Sequence, residues 1–128
     1  MATVGVGVDL VEVSRVEQMI ADRGTRVFER LLTPAERVYC ESMARPAEHV
    51  AVRLAAKEAV YKALQGTEAA RKIGWRDTEV LRTQDGKPEV QLAGRAAARA
   101  KELGVRRVLI SLSHTHETAI AVAVLETE

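Results

Sequence analysis

The chain has 128 residues, 47% hydrophobic and 29% charged, enough for one compact domain (1–128) with a real core and too short for two. Nineteen Lys plus Arg against eighteen Asp plus Glu leave a formal charge of +1, which excludes a broad basic surface for nucleic acid or membrane, so any anion site has to be local. The single cysteine, Cys40, has no partner for an internal disulfide, and neither a signal-peptide core nor a bilayer-spanning run appears, so the expected location is cytoplasmic.

Residues 3–11, "TVGVGVDLV", alternate Val4, Val6, Val8 and Leu10 with Gly5, Gly7 and Asp9, the period of a strand with one face stripped of side chains. In "SRVE", Ser14 and Glu17 have capping-box spacing and predict a helix ending near Gly24. "TPAE" places Thr33 at an N-cap, Pro34 at N1 and Glu36 at N3, and the helix it starts is expected to turn Val38, Tyr39 and Met43 inward. A longer helix runs from Pro46 to about Gln65-Gly66. Asp85-Gly86 in "QDGK" predicts a β-hairpin, and an alanine-rich helix follows between Gly94 and Gly104. Two apolar strands then flank "THE", and the last, with no polar residue from Ala119 to Leu125, is expected to be buried on both faces. The fold class is α+β: strand, three helices, β-hairpin, helix, β-hairpin.

The middle helix carries an anomaly. In "RLAAKEAVYKAL", Arg53 and Lys57 fall in the same arc as Leu54, Val60, Tyr61 and Leu64, where an ordinary amphipathic helix keeps no cations. Glu58 and Lys62 share a second face with the small Ala55 and Ala59. Read alone, Glu58 and Lys62 are an i,i+4 ion pair worth about 0.2–0.5 kcal/mol, and Asp9 is a polar residue at a strand end beside glycines that permit close approach of a ligand. Read together, the two carboxylates suit Mg²⁺, which is held by one or two carboxylates with water and phosphate oxygens completing its shell. Arg53, Lys57 and Lys62 then stand ready to neutralise a polyphosphate. His114 in "SLSH" reads as a ligand contact or a satisfied turn residue. The "HTH" at 114–116 lacks a nearby third zinc ligand, and "GVG" is too short for a dinucleotide fingerprint.

"GVGVDLVEVSRVE" at the start, "RLLTPAE" at 30–36, "RLAAKEAVYKAL", "DGKP" at 85–88 and "ISLSHTHETAIAVAVLE" at the end together resemble the holo-(acyl-carrier-protein) synthases, the short class of the 4'-phosphopantetheinyl transferase superfamily. The resemblance implies the 4'-phosphopantetheinyl transferase fold. The activity it implies is Mg²⁺-dependent transfer of 4'-phosphopantetheine from coenzyme A to a serine of an apo acyl carrier protein, in fatty acid or polyketide synthesis, releasing adenosine 3',5'-bisphosphate. By the same resemblance Asp9 and Glu58 are the metal ligands, with Glu58, directly or through a water, the base for the carrier serine, and Lys62 stabilises the leaving phosphate. Arg53, Lys57, Gly86, Lys87, Pro88 and His114 fall at coenzyme A positions, and Arg15, Arg23, Arg26 and Arg30 at the edge that meets the acidic carrier. Two residues past Asp9, where the larger class has a further acid, this chain has Val11. The resemblance also implies a homotrimer with active sites at subunit boundaries. A non-catalytic coenzyme A-binding module and a Mg²⁺-dependent phosphohydrolase are the competing readings.

Overall fold

The computed structural model describes residues 2–128. In chain order the elements are β1 (Thr3–Glu12), α1 (Val13–Arg23), α2 (Phe28–Leu31), α3 (Pro34–Glu41), α4 (Pro46–Leu64), β2 (Thr78–Arg82), β3 (Pro88–Leu92), α5 (Gly94–Leu103), β4 (Arg107–His114) and β5 (Thr118–Glu126). Strands β1, β5 and β4 form an antiparallel sheet in that order, and β2 and β3 form a separate hairpin. The predicted order of elements holds, with the one-turn α2 and three short 3-10 turns added.

Helix α4 lies across one face of the sheet, and the sequence of β1 explains how close it comes. A Cβ on Gly7 would sit 1.9 Å from the Ala59 carbonyl oxygen, and one on Gly5 2.4 Å from that of Ala63. The glycines therefore admit the backbone of α4 and not, as their pattern suggested, a ligand. Ala119, Ala121 and Ala123 on β5 keep the same face shallow, and all three are buried. Because α4 is enclosed on several sides, Leu54, Val60 and Leu64 are all sealed in the core, each contributing about 1.5–3 kcal/mol. At its C-terminus the guanidinium of Arg99, from α5, donates to the Leu64 carbonyl at 2.7 Å and the Gln65 carbonyl at 3.2 Å, satisfying acceptors that the helix leaves open.

Three sequence expectations need correction. Helix α1 begins at Val13 with Glu12 at the N-cap and no side-chain cap, so Ser14 is already inside the helix and "SRVE" is not a capping box. Helix α3 has the full Thr33–Glu36 capping box, but it buries Glu36 and Cys40; Val38 is 72% exposed, while Tyr39 and Met43 are half-buried. Its inward stripe follows the four-residue step from 36 to 40, because Glu36 has a buried partner on α4. Strand β5 is sealed on one face only. Val122 on the other face is exposed, as are Val4, Val6, Val8 and Leu10 of β1 and Leu109 of β4, because none of the described residues covers the outer side of the sheet.

Candidate active site

Asp9 projects from β1 on the side facing α4, one turn of which carries Glu58 and Lys62. The Lys62 ammonium donates to Asp9 Oδ1 at 2.8 Å and to the Val8 carbonyl at 3.1 Å, so the lysine is tied to the strand and not to Glu58. Burial holds the Glu58 carboxyl above its ordinary pKa and the neighbouring Asp9 charge adds to this, while Lys62 and Arg15 act in the opposite sense. The hydrogen bond from Lys62 to Asp9 raises the lysine's pKa. Two carboxylates on adjacent elements thus repel each other beside one ammonium. Glu58 also lines a cavity of about 280 Å³ whose walls include Tyr61, Arg71, Ile73 and Trp75.

Next to this cavity, Trp75 also lines a groove of about 470 Å³ between α1 and α2, where Met19, Val27 and Leu31 supply apolar surface, and Arg15, Arg23 and Arg30 outnumber the single carboxylate of Asp22. Three of the four arginines predicted to face a carrier therefore border one groove that adjoins the carboxylates; Arg26 is outside its lining.

Lys57 is placed differently from the expected phosphate-binding cation. It is buried, and its ammonium reaches Glu36 Oε1 at 2.7 Å and the carbonyls of Trp75 at 2.8 Å and Thr78 at 2.5 Å. All three donors are taken by the protein. Burial lowers its pKa and Glu36 partly offsets that.

Arg53 is equally buried and belongs to another cluster. Rotation of about 100° per residue sets it about 140° around α4 from Glu58, on a different side of the helix. Its guanidinium stacks 4.4 Å from the centroid of Tyr39 and donates to the His49 carbonyl at 3.3 Å, while its buried Nε has no partner among the described residues. The His49 ring meets Tyr39 and His114 edge-on, with centroids 5.8 and 5.9 Å apart. Arg82, whose charge reaches His49, donates to the Gly86 carbonyl at 2.9 Å and pairs across the hairpin with Pro88; the exposed Lys87 lies between them in sequence. Sequence reasoning missed Tyr39, His49, Arg82 and Glu36, and no local pattern marks the first three. Among the described residues no group of three or more His, Cys, Asp or Glu is placed to hold a metal.

The sequence pattern of the 4'-phosphopantetheinyl transferase superfamily matches residues 5–123. The chain belongs to that superfamily. This transferase is 48% identical over 120 residues to a holo-(acyl-carrier-protein) synthase of Moorella thermoacetica, covering 94% of this chain and 91% of the relative. Its fold is similar to the crystal structure of the holo-(acyl-carrier-protein) synthase of Neisseria meningitidis, with TM-score 0.86, 29% identity and coverage of 98% and 100%. It is also similar to the Bacillus anthracis synthase solved in complex with coenzyme A (3',5'-ADP), with TM-score 0.79, 34% identity and 98% of each chain covered. The α+β fold read from the sequence is thus the fold of this superfamily.

Proposed function

We propose that this transferase acts in the cytoplasm as a holo-(acyl-carrier-protein) synthase, moving 4'-phosphopantetheine from coenzyme A to a serine hydroxyl of an apo acyl carrier protein and releasing adenosine 3',5'-bisphosphate. The observation that carries the reading is the juxtaposition of Asp9, Glu58 and Lys62 where a cavity and an arginine-edged groove adjoin.

The carboxylates fit Mg²⁺: both offer hard oxygen donors, and their mutual repulsion is what a divalent cation relieves. Asp9 and Glu58 would hold it, and when bound it supplies charge neutralisation at the donor's diphosphate. Glu58, half-buried and with its proton affinity raised, is suited to accept the serine proton as the serine oxygen forms its bond to the pantetheine-side phosphorus. The bond from that phosphorus to the adenosine-side phosphate breaks, and Lys62 neutralises the charge left there. Lys57 acts as a strut: by gripping the carbonyls of Trp75 and Thr78 it fixes the cavity wall beside Glu58. The arginine groove suits an acidic carrier, with Arg15 next to the reacting groups.

Coenzyme A also bears a 3'-phosphate, and the Arg53–His114 cluster with the Gly86–Pro88 turn is the second cationic place for it. Since Arg53 and Glu58 leave α4 in different directions, one copy of the donor reaches both kinds of residue if they come from neighbouring subunits. The uncovered outer face of the sheet supports the same arrangement, a homotrimer. The test is to incubate the purified protein with coenzyme A, Mg²⁺ and an apo acyl carrier protein and weigh the carrier by intact mass. A gain of one phosphopantetheine group is expected. Hydrolysed coenzyme A with an unmodified carrier would make it a phosphohydrolase, and bound but intact coenzyme A a binding module.

A further inference from the structure

The cluster around Arg53 contains a charge imbalance that centres on His49, a residue with no part in the transfer step itself. Three groups that bear positive charge converge on His49, Arg53 on its own helix, His114 on β4 and Arg82 on β2, while the phenol of Tyr39 from α3 closes one side. The one carboxylate in reach among the described residues, Glu48, is already engaged, by Arg45 at 3.4 Å, by His116 at 3.1 Å and by His114 at 3.5 Å. The buried Arg53 Nε and the ring nitrogens of His49 have no hydrogen-bond partner among the described residues. A group of donors with unused capacity and no free counter-charge is complementary to an anion.

We propose that His49 completes the phosphate-binding cluster of Arg53 and His114, and that the donor's 3'-phosphate is bound there together with a proton taken up by His49. The proposal rests on the reading of the chain as a coenzyme A-dependent transferase. In the free protein, burial and then the charges of Arg53, His114 and Arg82 hold the His49 imidazole below its usual pKa, with Glu48 opposing. A phosphate placed among these groups reverses the field and favours the imidazolium. The sign identifies the source of the proton. A phosphate monoester has its own second pKa near 6 and would shed a proton in a cationic site, so net uptake on binding has to come from the protein. Donor affinity therefore rises as pH falls through the imidazole range down to about pH 6, below which the phosphate's own proton opposes the gain.

The experiment follows the imidazole Cε1–H resonances of the full-length protein by NMR between about pH 5.5 and 8.5, alone, with saturating coenzyme A, and with dephosphocoenzyme A, which lacks the 3'-phosphate. Coenzyme A should raise the midpoint of His49 by about one unit and bind up to about tenfold more tightly at pH 6 than at pH 8. Dephosphocoenzyme A should leave the midpoint where it was. His49→Asn should flatten the pH dependence of coenzyme A affinity, while His116→Gln should keep it. An unmoved His49 midpoint with coenzyme A bound overturns the proposal and leaves the transferase reading standing, as does a slope that survives His49→Asn or disappears with His116→Gln. If coenzyme A does not bind at any pH, the donor reading fails and the proposal falls with it. Should His49→Asn not fold, the wild-type titration alone decides.

Discussion

The ammonium of Lys57 lies 2.7 Å from a carboxylate oxygen of Glu36, and neither side chain is open to water. Glu36 is the N3 residue of the α3 capping box; the same carboxylate accepts from the Thr33 amide at 2.9 Å and the Val80 amide at 2.8 Å. One buried pair therefore joins α3, α4, β2 and the Trp75–Thr78 segment. Removing one partner of such a pair strands the other charge, so Lys57→Met should cost about 3–5 kcal/mol of stability. Adding Glu36→Gln should recover part of this by removing the stranded charge while keeping an amide oxygen for the backbone donors. Urea midpoints of the two variants measure the difference. A Lys57→Met protein of wild-type stability with weakened coenzyme A binding would return Lys57 to the donor pocket.

Gly7→Ala tests how the strand positions Asp9. A methyl at this point meets backbone, the Ala59 carbonyl, and cannot rotate out of the way. Either α4 lifts off the sheet or β1 shifts, at a cost of about 1–3 kcal/mol or more. Asp9 is two residues along on the same face, and Glu58 is next to Ala59, so the displacement separates the carboxylates. Loss of transfer activity beyond the loss of folded protein is expected, read by comparing turnover with circular dichroism on the same samples. Full activity in a stable Gly7→Ala protein would mean that the close approach is not needed.

These two relationships also mark where sequence reasoning stopped. The α3 capping box was legible because its donors and acceptors lie within four residues. The other partners of the Glu36 carboxylate were not, since Lys57 reaches Oε1 and the Val80 amide reaches Oε2 only through the tertiary fold. The cations in the apolar arc of α4 correctly signalled burial, but periodicity carries no information about which buried partner each one meets. Lys57 found a carboxylate and two carbonyls, and Arg53 an aromatic ring. The glycine alternation of β1 gave the strand and its bare face, yet it cannot distinguish a ligand from a helix backbone as the approaching body. Asp9, Glu58 and Lys62 could be named as candidates because two motifs carry them, whereas His49, Tyr39 and Arg82 lie in stretches with no motif.

Glu58→Gln should separate activity from stability. The folded protein holds the Glu58 carboxyl above its unfolded pKa, so the native state binds the proton more tightly than the unfolded chain. Stability is then lost as pH rises from the ordinary carboxylate value through the raised one, and at neutral pH the whole penalty is present. A neutral amide removes it. The variant should be at least as stable as wild type at pH 7 in the absence of Mg²⁺, with the advantage vanishing below about pH 4. Its transfer rate should fall by on the order of 10²–10³, the usual loss for one electrostatic contact in a preorganised site. Thermal unfolding at both pH values, with turnover at saturating Mg²⁺, checks the two halves separately.

Arg15 stands where the arginine-edged groove reaches the carboxylates. Arg15→Glu should raise the KM for the carrier protein, with the effect shrinking as salt is added, because charges at a docking rim mainly steer association and are screened over about 10 Å at 0.1 M. Coenzyme A affinity should stay within about twofold, since rim charges act mainly on the association they face. Arg26→Glu, outside the groove lining, should alter the carrier KM less than Arg30→Glu. Equal losses for Arg26 and Arg30 would place the carrier elsewhere.

The outer face of the sheet predicts assembly. Val6 is 62% and Leu10 60% exposed on β1, with Val8 between them and Val122 directly opposite Val8 on β5, so the apolar residues form a continuous surface and not scattered singles. A contiguous apolar patch on a small domain marks an interaction surface, and a second copy of the same chain covers it in the proposed trimer. Val8→Asp should place a charge at its centre without touching the inner face, where α4 packs, so each chain should stay folded while the oligomer dissociates. If the donor site is shared between the Arg53 side of one subunit and the Glu58 side of the next, dissociation removes activity even though no residue of either cluster has changed. Sedimentation velocity should show trimer for the wild type and monomer for Val8→Asp, with turnover lost in step. A monomeric variant with full activity would confine the whole donor site to one chain, and a wild-type monomer at assay concentration would leave the valine face to some other partner.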